Sequence, residues 1–133
     1  MNARNRKGQG IIEMLVGSIV FIVPMSLFAL DLGTVLVANS ANDHLVSNAA
    51  RAAADQDCKD KAQSAVQKCI GKFPKSNIVV DVKLAGDIDY SDDQQVVVTT
   101  VMKVKLPVGV AGMDTVEFKA RAVQPIVAKP SNV

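Results

Sequence analysis

The chain has 133 residues, which is enough for one folded domain, and a formal net charge of +2. Three of its 15 basic residues, Arg4, Arg6 and Lys7, precede Gly8. The rest of the chain carries 12 basic against 13 acidic residues and has no basic patch with aromatic residues that indicates nucleic-acid binding. Tryptophan is absent and histidine occurs once, at His44, which disfavours most metal-site and catalytic-triad chemistry. We expect His44 on an exposed helix surface.

Residues 11–30 form an apolar segment that contains one charged residue, Glu13. A helix of this length rises about 30 Å, which matches the hydrocarbon core of a bilayer. Basic residues before the segment and Asp31 after it predict a cytoplasmic N-terminus and an exported remainder. A cleavable secretory signal peptide is the alternative, but its apolar region is usually about 7–15 residues long, so we favour a membrane anchor.

The helical pattern continues beyond the apolar segment, because residues 32–56 lack proline and carry apolar side chains at three- and four-residue spacings. We predict one helix of about 70 Å over residues 11–56, bent or loosened at Pro24. One face of its exported half is expected to carry Val35, Ala38, Asn42, Leu45, Ala49 and Ala52. A second, short helix is predicted over residues 60–70, because Gly71 and Pro74 end it.

After Pro74 the apolar period changes from helical to two, which predicts β-strands over residues 78–85, 96–106 and 116–122. One face of the first strand is expected to carry Ile78, Val80, Val82 and Leu84. Strands joined by turn-rich loops indicate an antiparallel meander with one wet face. The predicted fold is α+β: a long N-terminal helix, a short second helix and a small three-stranded antiparallel sheet packed on the exported half of the long helix.

Glu13 is the most informative position, because an ionisable side chain at the centre of a membrane span costs about 2.5–3.5 kcal/mol and usually marks a function. The alternative is a carboxylate close enough to the interface to reach water. Glu13 ends the stretch Arg6-Lys7-Gly8-Gln9-Gly10-Ile11-Ile12-Glu13, which has basic residues, a glycine and, five positions after that glycine, the glutamate. This stretch resembles the signal of type IV prepilins, which a membrane-embedded prepilin peptidase cuts after the glycine.

The resemblance implies cleavage after Gly8 and a new N-terminus at Gln9. The amine of Gln9, or that of a neighbouring subunit, would then pair with the Glu13 carboxylate in lipid, where a charge needs a partner. Gly10 is a second candidate cut site. Contacts with neighbouring subunits are expected at the small and apolar helix positions Gly17, Val20, Val35, Ala38 and Ala41.

Two further segments resemble TadE-like proteins of the tight-adherence pilus. Asp31-Leu32-Gly33 is similar to their acidic-apolar-glycine signature, and Asn48-Ala49-Ala50-Arg51-Ala52-Ala53 is similar to their alanine-rich stretch with an arginine. The last two predicted strands, joined by the apolar loop of residues 107–112, resemble that family's C-terminal hairpin. Met14 stands where tight-adherence major pilins usually carry tyrosine, and the exported domain is larger than theirs, which favours a minor pilin or pseudopilin.

The resemblance implies four regions: a basic leader (1–8), a transmembrane helix (9–31), an exported helical region (32–74) and an exported antiparallel sheet (75–133). It implies a pilus subunit in the bacterial inner membrane, with a cytoplasmic N-terminus and a periplasmic domain, which either enters an extracellular fibre or only primes it. Expected partners are the membrane, other pilin or pseudopilin subunits, the prepilin peptidase and the inner-membrane assembly platform.

No enzymatic activity, cofactor, metal, nucleic acid or small-molecule substrate is expected. Two alternatives remain. One is an uncleaved periplasmic binding module that the N-terminal helix tethers to the membrane, as part of a pilus or secretion apparatus. The other is a pseudopilin of type II secretion, whose leader follows the same logic.

Two features of the exported region bear on its chemistry. We expect Cys58 and Cys69 to form a disulfide, because such bonds persist in the periplasm. The bond requires the chain to break between them, because eleven residues of straight helix separate their ends by about 16 Å. Residues 86–93 include four candidate calcium ligands, Asp87, Asp89, Asp92 and Asp93. They lack the glycine and glutamate of an EF-hand loop, so a solvated hairpin loop is the favoured interpretation.

Overall fold

The computed structural model of the chain describes residues 6–92, 94–109 and 112–127. Its first element is one helix, α1, which covers Arg6–Ala54 and continues through Pro24. A helix of 49 residues is about 74 Å long. The single long helix of the sequence prediction is confirmed, although it ends two residues earlier than predicted.

Helix α1 divides into two parts that differ in what covers them. Every residue from 8 to 30 is exposed, and we call residues 8–30 the free half. Residues 31–54, the packed half, lie against the sheet and the second helix. The buried residues of the packed half are Asp31, Ala38, Asn42, Leu45, Val46, Ala49, Ala50, Ala53 and Ala54. The predicted inward face is confirmed, with Val35 and Ala52 half-buried at its margins.

The second helix, α2, covers Lys59–Gly71 and runs back along the packed half. Its buried residues Ala62 and Val66 lie in one cluster with Ala53, whereas Ile70 reaches a second cluster that contains Ala38. One acidic residue in its first turn, Asp60, and one basic residue in its last turn, Lys68, suit the helix dipole. The predicted short helix is confirmed, with one more residue at each end.

The sheet contains four antiparallel strands: β1 (Val79–Leu84), β2 (Asp89–Asp92), β3 (Gln95–Lys105) and β4 (Thr115–Pro125). The central strand is β3. Its whole length pairs with β4 on one side, and on the other side its first part pairs with β2 and its second part with β1.

The prediction of three strands is therefore wrong by one. The segment between β1 and β3, predicted as a solvated loop, contributes β2. Directly before β2, the side chain of Ile88 is buried in the core beside the end of α1. Ile88 and Tyr90, which packs on the same core and donates its hydroxyl to the carbonyl of Gln56 at 2.8 Å, hold this otherwise polar segment in place.

The inward faces of β3 and β4 follow the predicted alternation. In β3 the buried residues are Val96, Val98, Thr100, Met102 and Val104. In β4 Ala120 is buried, and Glu117, Lys119 and Arg121 point outward and are exposed. The sheet thus has one face against the helices and one wet face, as period-two alternation predicts.

The predicted face of β1 is correct for Val82 and Leu84 and wrong for Ile78 and Val80. Val79 and Val82 are buried, whereas Ile78 and Val80 are exposed. The register with β3 shifts between Val79 and Asp81, so Val80 is the extra residue of a β-bulge. A bulge changes the phase of the alternation, and residues before it point to the opposite face from the one that simple counting assigns.

Two hydrogen bonds fix how the sheet lies along α1. The backbone N–H of Val127, just after β4, donates to the carbonyl of Ala54 at 3.2 Å. The backbone N–H of Val108, just after β3, donates to Oδ1 of Asp31 at 3.0 Å. Strand β3 therefore begins beside the C-terminus of α1 and ends beside the boundary between its two halves. We call these two sides of the domain the Ala54 end and the Asp31 end.

Candidate functional site

The free half of α1 presents a continuous apolar surface. Its large apolar side chains are 38–77% exposed: Ile11, Ile12, Met14, Leu15, Val16, Ile19, Val20, Phe21, Ile22, Val23, Met25, Leu27, Phe28 and Leu30. The helix has an 18-residue window with a mean hydropathy of 2.2, none of it buried, and is compatible with a transmembrane segment by length and composition. Exposed apolar patches this large mark contact with a membrane or another protein.

Hydroxyl groups within the free half are satisfied by the helix itself. Ser18 donates to the carbonyl of Met14, and Ser26 to that of Ile22, each at 2.8 Å. Such bonds to the preceding turn leave no hydroxyl donor of these two serines unpaired, which suits an apolar environment. Glu13 is then the charged side chain of the free half.

Glu13 lies one helical turn after Gln9, and both side chains are exposed. Residues four apart share one helix face and are about 6 Å apart along the axis. Gly8 and Gly10 also lie within α1, and a Cβ added at either would meet no atom within 4 Å. The structure thus brings Gln9 and Glu13 to one face, and packing within the chain requires neither glycine.

Asp31 connects the helix to the sheet at the end of the apolar segment. It is 5% exposed, and its Oδ1 accepts the hydrogen bond from Val108 in the β3–β4 loop. The loop is closed by a bond from the N–H of Leu106 to the carbonyl of Asp114 at 2.9 Å. Gly109 has φ +68°, and a Cβ there would lie 2.7 Å from Oδ1 of Asp114, so the loop requires glycine. Asp31 therefore positions the first part of this loop, whose residues 110–111 lie outside the described residues.

The other three residues of the family motifs do not join Asp31. Gly33 is exposed, and a Cβ there would meet no atom within 4 Å. Asn48 and Arg51 lie three residues apart on the exposed side of the packed half, and Arg51 is in the last turn of α1, where a positive charge is favourable. Packing within the chain thus accounts for Asp31 and leaves Gly33, Asn48 and Arg51 facing outward.

A groove of 450 Å³ runs between α1 and the start of β1 at the Asp31 end. Gly33, Val37 and Ala41 line one wall, and Ile78 lines the other.

Ala38, expected to contact neighbouring subunits, is instead buried beneath the sheet. The outward positions Gly17 and Val20 in the free half remain available for such contacts.

Asn42 has a role that the sequence reasoning missed. It is fully buried, its Nδ2 donates to the carbonyl of Phe118 at 3.2 Å, and its Oδ1 accepts from the Thr100 hydroxyl at 2.8 Å. One asparagine thus joins α1 to both β3 and β4. The sequence did contain a signal for this role: Asn42 is an amide on an otherwise apolar helix face, and a polar side chain that is buried there needs hydrogen-bond partners.

The expected disulfide is not formed. Cys58 and Cys69 are free, the first exposed and the second half-buried. Cys58 is the N-cap of α2 and Cys69 lies near its end, so a continuous helix separates them. Eleven helical residues span about 16 Å, far beyond the reach of a disulfide.

The acidic segment after β1 does not assemble into a cation site among the described residues. Asp87 and Asp89 are exposed, and Ile88 between them points into the core. The backbone of Asp92 lies in β2, and Asp93 lies outside the described residues. Within residues 6–92, 94–109 and 112–127, no three His, Cys, Asp or Glu side chains are grouped as metal ligands. His44 is exposed, as expected.

The outer face of the sheet carries an ion pair between Lys83 and Asp81, with Nζ 2.8 Å from Oδ2. The hydrogen bond from Lys83 lowers the pKa of Asp81, and the same bond raises the pKa of Lys83. A second pair, Lys103 with Glu117, lies on this face at 4.0 Å. These charges belong to the wet face and are separate from the free half.

Comparison with models of known protein families, with curated proteins and with solved structures found no match to this chain. The resemblance to TadE-like proteins therefore stays a prediction.

Proposed function

We propose that this protein is a pilin-like structural or assembly subunit, a minor pilin or pseudopilin of a tight-adherence type IV pilus. The observation that carries the proposal is the division of α1 into an entirely exposed apolar half with one carboxylate and a half that is packed under a small sheet. A subunit stored in a membrane and then handed to a helical fibre needs both parts: a helix with an apolar surface and a domain that folds without that helix half being covered.

In this proposal the free half crosses the bacterial inner membrane. Its 23 residues span about 34 Å, slightly more than a hydrocarbon core of about 30 Å. Arg4, Arg6 and Lys7 precede it, which favours a cytoplasmic N-terminus and a periplasmic domain. The protein would meet the prepilin peptidase and the assembly platform in this membrane before any entry into an extracellular fibre.

Glu13 is the residue that we propose for subunit registration. After cleavage behind Gly8, the new amine would be on Gln9, on the same helix face and one turn from the carboxylate. The same amine on a neighbouring subunit would offer Glu13 an equivalent partner. A charge surrounded by lipid or apolar helices is stable only with such a partner, so the pairing would fix the axial position of one subunit against the next.

The alternative, an uncleaved and tethered periplasmic binding module, is favoured by one observation. Gly8 and Gln9 lie inside α1. Cleavage between them would therefore require the first turns of the helix to unwind. A tethered module needs no such step. Type II secretion pseudopilins have a leader of the same organisation, so a pseudopilin of that system is the other alternative.

The experiment that tests the proposal is the intact mass and N-terminal sequence of the membrane-extracted protein, from cells with and without the prepilin peptidase. We expect a peptidase-dependent start at Gln9. Gly8→Ala should block cleavage, whereas the matched variant Gly10→Ala should not. Since a methyl group at either position meets no atom within 4 Å, neither variant disturbs packing within the chain. A start at Met1 in both strains would favour the tethered module.

The role of Glu13 is tested separately by counting fibres. Glu13→Gln keeps the size and removes the charge, and we expect it to abolish or strongly reduce assembly at unchanged protein level. Gln9→Ala is the matched control, because it changes a side chain on the same face and leaves the new amine in place. Normal fibres from Glu13→Gln would contradict registration by charge pairing.

A further inference from the structure

The Asp31 end of the domain exposes apolar side chains beyond the apolar segment itself. On the helix these are Leu32, Leu36 and Val37. On the β3–β4 loop they are Val108, 40% exposed, and Met113, 61% exposed. The Ala54 end also exposes two apolar side chains, Val123 and Val127, but these lie far from the apolar segment of α1.

The hydrogen bond from Val108 to Asp31 fixes the height of this loop along α1. Asp31 directly follows Leu30, the last residue of the apolar segment, and one residue adds only about 1.5 Å along the helix axis. If the free half crosses a bilayer, the loop lies where the hydrocarbon core gives way to the headgroups. The headgroup region on each side is about 5–8 Å deep, which is the depth of a few side chains.

Charges at this end also suit a lipid surface. Lys72 and Lys75, between α2 and β1, and Lys105, at the end of β3, are exposed. Asp114 is the exposed acidic residue of the loop. Exposed lysines beside apolar side chains favour contact with a membrane that contains anionic lipids, because the apolar groups enter the interface and the ammonium groups meet the phosphates.

We propose that Val108 and Met113 dock on the outer surface of the bilayer, and that Asp31 is the positioning residue that holds Val108 there. This inference rests on the proposed membrane span of the free half. The occupant is the lipid interface, because the exposed residues continue the apolar surface of the free half without a gap along α1. Docking fixes the orientation of the exported domain, with its Ala54 end directed away from the membrane.

The chain contains no tryptophan, so one introduced tryptophan reports its own surroundings. Three single-tryptophan variants of the full chain would be reconstituted into vesicles of phosphatidylethanolamine, phosphatidylglycerol and phosphatidylcholine. Phe21→Trp reports the free half, Met113→Trp reports the loop, and Lys59→Trp reports the Ala54 end. Quenching is measured when the phosphatidylcholine is replaced by lipid brominated near the headgroup end of its acyl chains.

We expect Phe21→Trp and Met113→Trp both to emit at short wavelength and to lose intensity with brominated lipid, and Lys59→Trp to show neither effect. The Ala54 end lies the length of β3, about 33 Å, from the loop, so bromine in the membrane does not reach it. Loss of quenching in Met113→Trp with quenching retained in Phe21→Trp would overturn docking and leave the span intact. Loss in both would overturn the span and with it the proposed function.

The role of Asp31 is tested in the Met113→Trp background. Asp31→Ala removes the acceptor for Val108 and should reduce quenching of the loop tryptophan, while Asp31→Asn retains an acceptor oxygen and should restore it. Neither change should alter quenching of Phe21→Trp. Unchanged loop quenching in Asp31→Ala would overturn the positioning role. The loop tryptophan could instead emit at short wavelength without being quenched, and lose this emission when the protein is diluted in lipid. That result would show contact between copies of the chain and would also overturn lipid docking.

Discussion

The two halves of α1 have nearly the same length and belong to one continuous helix, yet they use apolar residues in opposite ways. The packed half buries small side chains, among them Ala49, Ala50, Ala53 and Ala54. Small residues allow the sheet and α2 to approach the helix backbone closely. The free half exposes large side chains such as Phe21 and Met25, which no part of the described chain covers.

This difference separates the surface of α1 that folding covers from the surface that assembly would cover in the proposed function. A substitution in the packed half changes a surface that the chain itself covers, so its effect appears in the free energy of unfolding of the folded domain. A substitution in the free half changes a surface that only a membrane or another subunit can cover. Phenotypes of Glu13 and Gly8 can therefore be separated from misfolding, and matched pairs of variants test how complete that separation is.

The largest expected effect is that of Met102→Ala. Met102 is fully buried beneath the packed half with Ala38 and Leu45, and truncation of a buried methionine to alanine costs about 2–5 kcal/mol of unfolding free energy. Met25→Ala is the matched control in the free half, where Met25 is 70% exposed. Denaturant unfolding of the full chain, followed by circular dichroism, measures the stability of both variants. Equal destabilisation by the two variants would break the comparison.

A smaller loss is expected for Asn42→Ala. It leaves the carbonyl of Phe118 and the hydroxyl of Thr100 without their buried partner, which costs about 1–3 kcal/mol. Asn48→Ala changes an exposed amide on the same helix and should leave the stability of the domain unchanged. Unfolding midpoints measure the stability, and fibre counts for Asn48→Ala show whether this motif residue serves assembly. A stable Asn42→Ala protein would contradict the linking role of Asn42.

Gly33→Ala should act in the opposite direction. Gly33 lies in an exposed part of a helix, and a Cβ there meets no atom within 4 Å, so alanine should stabilise the helix by about 0.5–1 kcal/mol. Gly109→Ala is the contrasting variant, because φ +68° and the 2.7 Å approach of Asp114 make it destabilising. Loss of assembly in a stabilised Gly33→Ala protein would show that a partner packs on this glycine. Destabilisation by Gly33→Ala would instead indicate a packing contact within the chain.

Much of the fold followed from the sequence because periodicity is local. The spacing of Ala38, Leu45 and Ala49 predicted the inward face of the packed half, and the alternation in β3 predicted its buried residues. For β1 the prediction failed only at the start of the strand, because the bulge at Val80 changes the phase of the alternation without a marker in the sequence. Strand β2 was missed because its segment is mostly polar and two residues, Ile88 and Tyr90, hold it in place.

The candidate site was predicted less completely, because its contacts are not local. Asp31 was singled out by a motif, but its partner Val108 lies 77 positions away. The partners of Asn42 lie 58 and 76 positions away, so its position on the helix showed that a partner was needed and not which one. The expected disulfide failed because the distance between Cys58 and Cys69 depends on whether α2 is continuous, which the sequence left open.

The smallest expected effect lies on the outer face of the sheet, away from both halves of α1. The pKa of Asp81 is lowered below 3.8 by its hydrogen bond from Lys83, so the contribution of this pair to stability is present above the unfolded-state pKa and is lost as the pH falls through the folded value. The pKa of Lys83 is raised above 10.5, so the same contribution is present below that value and is lost as the pH rises through the folded pKa. Between these limits Lys83→Met should lower the unfolding midpoint slightly, because the side chains of Lys83 and Asp81 are 76% and 32% exposed and solvent screens their attraction. The difference from the unaltered protein should vanish in acid, where Asp81 is protonated, and in high salt, which screens the pair further. Membrane insertion should be the same in both proteins. A change in insertion would show that the sheet and the free half are coupled and that the division of α1 is not the boundary between folding and assembly.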